Sequence, residues 1–218
     1  MAKEVSTYQS HRQEGILLNA NESWESLDME TMVEIQKRLP EVAINRYPVD
    51  DDEELLDVYS KRIGVNPACI MAGNGSDALL GLMIGFFLGK GKTLYTFAPD
   101  FSMYDYYASS YEAKMEKYIC QEDGSVDVQD FIAQGKEKEV DAIVFSNPNN
   151  PTGHCLNKEE VLTIVRAFPD IPVIVDEAYM EFGNQSVKEE LDACPNLYIT
   201  RTLSKAYAMA GIRVGFVL

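Results

Sequence analysis

The chain has 218 residues, and 35 acidic against 19 basic side chains give a net charge of −16. That balance argues against a nucleic-acid binder, which needs a basic footprint, while 46% hydrophobic and 25% charged residues fit an ordinary globular chain. The four cysteines, Cys69, Cys120, Cys155 and Cys194, lie far apart without metal-ligand spacing, so they read as reduced thiols, no metal is expected, and His11 and His154 read as incidental. With no signal pattern at the N-terminus, and with "GLMIGFFLG" (81–89) too short to span a bilayer, the expectation is a cytoplasmic protein without membrane contact.

Residues 1–30 are polar, with "LLNANES" their apolar entry point. Helical spacing follows at 28–39, through Met29, Met32, Val33 and Ile35, and at 51–62, through Leu55, Leu56, Val58 and Tyr59. From there short apolar runs alternate with helical segments. Strands are expected at 69–73, 93–99, 114–120, 141–147, 171–179, 197–203 and 212–218. Helices are expected at 76–91, almost wholly buried, and at 100–113, 125–137, 157–168 and 186–194. This alternation means an α/β fold with a largely parallel sheet of about seven strands flanked by helices.

In such sheets ligands bind beyond the carboxyl ends of the strands. The first strand delivers "GNGSD" (73–77). Its glycines and free first-turn N–H groups suit an anion, although a helix capped by Ser76 explains the same residues. The second delivers Phe101, either a core aromatic or a stacking face for a flat ligand. Later strands deliver "NPNNPTG" (147–153), a turn rich in side-chain amides; Asp176, with Tyr179 three residues on; and Thr202, Ser204 and Lys205. A carboxylate ending an apolar strand is costly without a partner. An anion nest, an aromatic, an amide, a carboxylate and a lysine at one sheet edge suit pyridoxal 5'-phosphate, which needs a lysine for its aldehyde and a carboxylate for its ring nitrogen.

The segments "LLNANES", "NRYP", "GNGSD", "NPNNPTG", "VDEAYMEF" and "RTLSKAYAMAGIRVGF" stand in this order along nearly the whole chain. On them the chain resembles the fold-type I pyridoxal-phosphate aminotransferases, most of all the histidinol-phosphate aminotransferases. The resemblance implies that Lys205 bonds to the cofactor aldehyde and later serves as general base. It implies that Asp176 pairs with the ring N–H, that Tyr179 and Asn150 hydrogen-bond the ring oxygen, and that Phe101 stacks on the ring. The phosphate would sit at Gly75, Ser76 and Asp77, held further by Thr202, Ser204 and Arg213. Tyr47 would reach it across the interface of a homodimer.

The implied reaction passes an amino group between a small-molecule donor and a 2-oxo acid acceptor, here L-histidinol phosphate with 2-oxoglutarate in histidine biosynthesis. An aromatic aminotransferase, a threonine-phosphate decarboxylase-like enzyme and a non-catalytic cofactor-binding remnant share the same residues. The sequence departs from the family pattern at Ser23, Trp24, Val49, Ala78 and Asp100, the last standing where threonine is frequent. The implied organisation is an N-terminal arm and helix over 1–45 and a cofactor-binding large domain over 46–218. In the family a small C-terminal domain with the substrate-carboxylate arginine follows. The chain therefore reads as an N-terminal part, with little activity expected of it alone.

Overall fold

The computed structural model describes residues 15–47, 53–183 and 185–218. The residues before 15, with His11, and the acidic stretch 48–52, with Val49, lie outside them. The helix α1 (Met29–Arg38) starts where the Asp28 carboxylate accepts the Thr31 N–H at 2.8 Å, and none of its residues is buried. The second, α2 (Glu53–Ile63), has Glu53 and Glu54 in its first turn and Lys61 and Arg62 in its last, as the helix dipole favours.

The α/β body then alternates as expected: β1 (Met71–Gly73), α3 (Gly75–Phe87), β2 (Thr93–Ala98), α4 (Met103–Ser110), β3 (Lys114–Ile119), α5 (Val128–Glu137), β4 (Ala142–Ser146), α6 (Lys158–Ala167), β5 (Val173–Asp176), β6 (Leu197–Thr202) and β7 (Gly215–Val217). The seven strands form one sheet in the order β1-β7-β6-β5-β4-β2-β3, and β7 alone runs against its neighbours.

Alternate strand residues serve opposite faces. Leu94, Val144 and Ile174 meet α3 and α4 through Leu79, Leu80, Met83 and Tyr104. Tyr95, Ile143, Phe145 and Val175 meet α5 and α6 through Phe131, Val161, Leu162 and Val165. Because both faces are covered, the strands read as continuous apolar runs.

Three expectations need correction. The helix α3 ends at Phe87 and is not wholly buried: Leu82 is 62% and Phe86 82% exposed. It presses one side onto the sheet, and an all-apolar sequence carries no periodicity to show which side is left over. The segment 186–194 forms only a short 3₁₀ turn, Lys188–Glu190, because Val187 N–H and Ser186 Oγ are drawn to Glu177 and Pro195 follows. The third concerns the helix expected from residue 100. It starts at Met103, because the Asp100 carboxylate is bonded to Phe101 N–H and to the end of β4 instead.

Candidate active site

The carboxyl ends of β1, β2, β4, β5 and β6 bring the sequence candidates to one edge. Asp176 ends β5, in register with Ser146 of β4 and Thr200 of β6. Its carboxylate is buried. Oδ1 accepts from Thr200 Oγ1 at 2.8 Å and from Ala178 N–H at 3.2 Å; Oδ2 accepts from Tyr104 Oη at 2.9 Å. Burial raises its pKa, and these hydrogen bonds pull the other way. All three donors are neutral, and a carboxylate has about four acceptor sites, so one remains for a further, cationic donor.

Lys205 follows β6 by three residues. Its Nζ donates to Ala20 carbonyl at 2.7 Å and lies 5.7 Å from the Tyr179 ring centre. Burial lowers its pKa; Glu22 and Asp176 oppose that, and Arg213 adds to it. Tyr179 Oη accepts from Asn21 Nδ2 at 3.0 Å, so the "LLNANES" arm closes over lysine and tyrosine together. Burial raises the Tyr179 phenol.

The anion candidates assemble around β7. Thr202 Oγ1 donates to Ser204 Oγ at 3.0 Å, and Arg213 Nη1 lies 3.4 Å from the same oxygen. Gly75 has φ +83°, and a Cβ placed on it would stand 2.6 Å from Arg213 Nη2. Only glycine therefore lets the guanidinium reach the first turn of α3. A Cβ on Gly215 would stand 2.1 Å from Ser76 N, so the glycine of "IRVG" lets β7 pass directly behind that turn. The helix opens at Asn74 with no side-chain cap, which corrects the reading of Ser76 as N-cap and leaves first-turn N–H groups free of side-chain acceptors. Arg213 itself is left-handed at φ +61°, an uncommon state for a non-glycine residue and a strain held by its surroundings.

Other candidates are placed less centrally. Phe101 is half-buried after β2 and meets Tyr104 edge-on at 5.6 Å between ring centres. Asn150 is half-buried in the turn after β4, with its N–H held by Ser146 Oγ at 2.9 Å. Asp77 has Oδ1 buried without a hydrogen-bond partner. Tyr47 is 96% exposed. Sequence reasoning missed Tyr104, Thr200, Ser146 and Asn21. The pairing of Thr200 with Asp176 follows from strand register, and Tyr104 sits three residues past Phe101 at helical spacing. Asn21 lies in the singled-out segment "LLNANES" but was given no role there, and no local signal marked Ser146.

The set fits pyridoxal phosphate: a spare acceptor on a buried carboxylate, an amine whose pKa burial lowers, and a guanidinium against an uncapped helix start. The family model for "Aminotransferase class I and II" matches residues 14–218. The histidinol-phosphate aminotransferase of Clostridium kluyveri is 39% identical over 203 residues, covering 93% of this chain and 58% of that protein. The crystal structure of histidinol-phosphate aminotransferase from Sinorhizobium meliloti in complex with pyridoxal-5'-phosphate superposes with a TM-score of 0.83 at 25% identity, covering 91% of this chain and 55% of that one. The L-threonine-O-3-phosphate decarboxylase of Porphyromonas gingivalis gives 0.73 at 25% identity, over 89% and 60%. The chain thus spans somewhat more than half the length of these proteins. With the family model matching residues 14–218, the chain belongs to the aminotransferase class I and II family.

Proposed function

We propose that this chain carries the cofactor-binding part of a pyridoxal-phosphate aminotransferase that moves an amino group between L-histidinol phosphate and 2-oxoglutarate. The observation that carries the reading is the placement of Asp176 at the end of β5 and of Lys205 just past the end of the adjacent strand β6, with the Gly75–Arg213 cradle formed on the same chain. When bound, pyridoxal phosphate supplies an aldehyde and an electron sink. Asp176, with Oδ1 and Oδ2 fixed by Thr200, Ala178 and Tyr104, holds a proton on the ring nitrogen. Asn150 and Tyr179 donate to the ring oxygen, and Phe101 covers a ring face. Ser76, Thr202, Ser204 and Arg213 hold the phosphate, Gly75 makes room for the guanidinium, and the α3 dipole adds to the attraction.

Burial first, and Arg213 after it, lower the Lys205 pKa, the direction that suits Nζ to take the proton from the amino donor's Cα. Asp77 would meet the phosphate through its first-turn N–H, while its carboxylate stands beside Tyr107, whose phenol is raised by burial first and then by Asp77's charge. The domain reading remains an arm over 1–45 and a large domain over 46–218. A homodimer in which Tyr47 reaches the partner's phosphate is supported by the exposure of Tyr47, of α1 and of Leu82 and Phe86, and the cytoplasm is the compartment that goes with this reading.

The test is pyridoxal-phosphate titration followed by borohydride and peptide mapping, with label expected on Lys205. Label on another lysine overturns the reading. In the whole protein, L-histidinol phosphate with 2-oxoglutarate should yield glutamate; carbon dioxide release without glutamate would favour the decarboxylase reading.

A further inference from the structure

Asp100, one of the residues that depart from the family pattern, links two cofactor-facing segments. Its Oδ1 accepts Phe101 N–H at 2.7 Å and also bonds Ser146 Oγ; its Oδ2 accepts Ser146 N–H at 3.1 Å. Ser146 Oγ in turn accepts Asn150 N–H at 2.9 Å and Asn149 Nδ2 at 3.3 Å. Asn149 Oδ1 then closes the turn by accepting Thr152 N–H at 3.1 Å and Thr152 Oγ1 at 2.8 Å. A threonine offers one side-chain oxygen where the carboxylate offers two, so it cannot hold Phe101 N–H on one oxygen and Ser146 N–H on another.

We propose that Asp100 is a positioning residue: one carboxylate, bonded to Phe101 N–H and through Ser146 Oγ to Asn150 N–H, sets the stacking aromatic and the ring-oxygen amide relative to each other. The proposal rests on the cofactor reading of Asn150. Burial, with Asp176's charge adding to it, pushes the Asp100 carboxyl up to about 7, so the clamp is mostly ionised only above neutral pH. The titratable groups around it are Asp176 at the end of β5, Tyr104 on α4 and Cys120 after β3.

The test compares Asp100→Asn, Asp100→Thr, Ser146→Ala, Asn150→Ala and the Asp100→Asn/Asn150→Ala double variant at pH 8. Amide hydrogen exchange is read at Asn150 without cofactor, and pyridoxal-phosphate affinity by absorbance titration. Asp100→Asn is expected to speed Asn150 exchange and weaken pyridoxal phosphate by about tenfold, the scale of one charge-assisted hydrogen bond. Ser146→Ala, which cuts the same link from the other side, should reproduce both effects should the first variant fold poorly. In the Asn150→Ala background Asp100→Asn should cost little further affinity. Unchanged Asn150 exchange, or affinity losses that simply add, overturns the proposal. If Asn150→Ala alone leaves affinity unchanged, the cofactor reading of Asn150 fails, and the exchange data still decide whether Asp100 holds the turn.

Discussion

Asp176 and Lys205 show how a strand end makes a reactive group. Asp176 is carried inward by an apolar strand, so desolvation raises its pKa, and neutral hydrogen bonds from Thr200, Tyr104 and Ala178 keep it in place. Asp176→Asn should leave phosphate contacts intact. It is expected to lower turnover of the whole enzyme by at least about a hundredfold, a typical loss for one preorganised electrostatic group, with a much smaller change in cofactor affinity, measured by paired kinetics and titration. Equal losses in both would make Asp176 a binding group.

Asp100 carries a pH prediction. Its folded pKa, near 7, lies above the unfolded aspartate value, so the folded state holds the extra proton. Stability from this group is fully present below the unfolded pKa and is lost as pH rises through about 7. Urea melts at pH 5 and 8 should therefore show Asp100→Asn gaining on the parent as pH rises; a constant difference would place the carboxyl in an ordinary environment. Asp176 and Lys205 were legible in the sequence because chemistry needs those residue types at strand ends. Tyr104 and Ser146 were not, since an aromatic in a helix and a serine ending an apolar strand look like packing until register brings them to Asp176 and Asp100.

At the scale of elements, the loop after β5 is tied down by a buried ion pair. Arg201 on β6 donates from Nε to Glu177 Oε2 at 2.7 Å, and its Nη2 donates to Ser186 Oγ at 2.9 Å, while Val187 N–H donates to Glu177 Oε1 at 3.2 Å. Both charges are almost fully buried. Arg201→Met should cost about 3–5 kcal/mol by stranding Glu177, and adding Glu177→Gln should recover part of it; denaturant melts of the single and double variants check this. This pair also explains why the expected helix at 186–194 is absent. A sequence reading sees helix formers there and cannot see that Ser186 and Val187 are claimed by a carboxylate behind them.

Gly215→Ala is a second test of element packing. A methyl against Ser76 N would push β7 away from α3, costing about 3 kcal/mol or more, at the upper end of overpacking effects. A thermal melt within a degree of the parent would show that the two elements can separate freely.

Across the molecule, the alternation of strands and helices and the largely parallel sheet were legible from the apolar runs, but strand order and outer surfaces were not. An all-apolar α3 gives no sign of which side meets the sheet, and the regular spacing of Met29, Met32, Val33 and Ile35 in α1 predicts a helix without naming what it would cover. Leu82 and Phe86 stand exposed on α3, and burying two such side chains contributes about 1.5–3 kcal/mol each. If they meet a second copy, Leu82→Asp with Phe86→Asp should weaken self-association by about a hundredfold or more, read by sedimentation over a concentration series. An unchanged dissociation constant would move the interface elsewhere.

The reversed strand β7 also sets an order in time. Among the described strands β1 pairs only with β7, so Gly75 at the start of α3 joins the rest of the sheet edge through it. Gly75 and Ser204 are far apart in sequence, and closing so long a loop is slow. In refolding from urea, circular dichroism should recover before phosphate capture does, because β2 to β6 can zip together while the anion cradle still waits for its two halves. The rate at which the refolding chain acquires affinity for pyridoxal phosphate would then serve as a clock for the docking of β7.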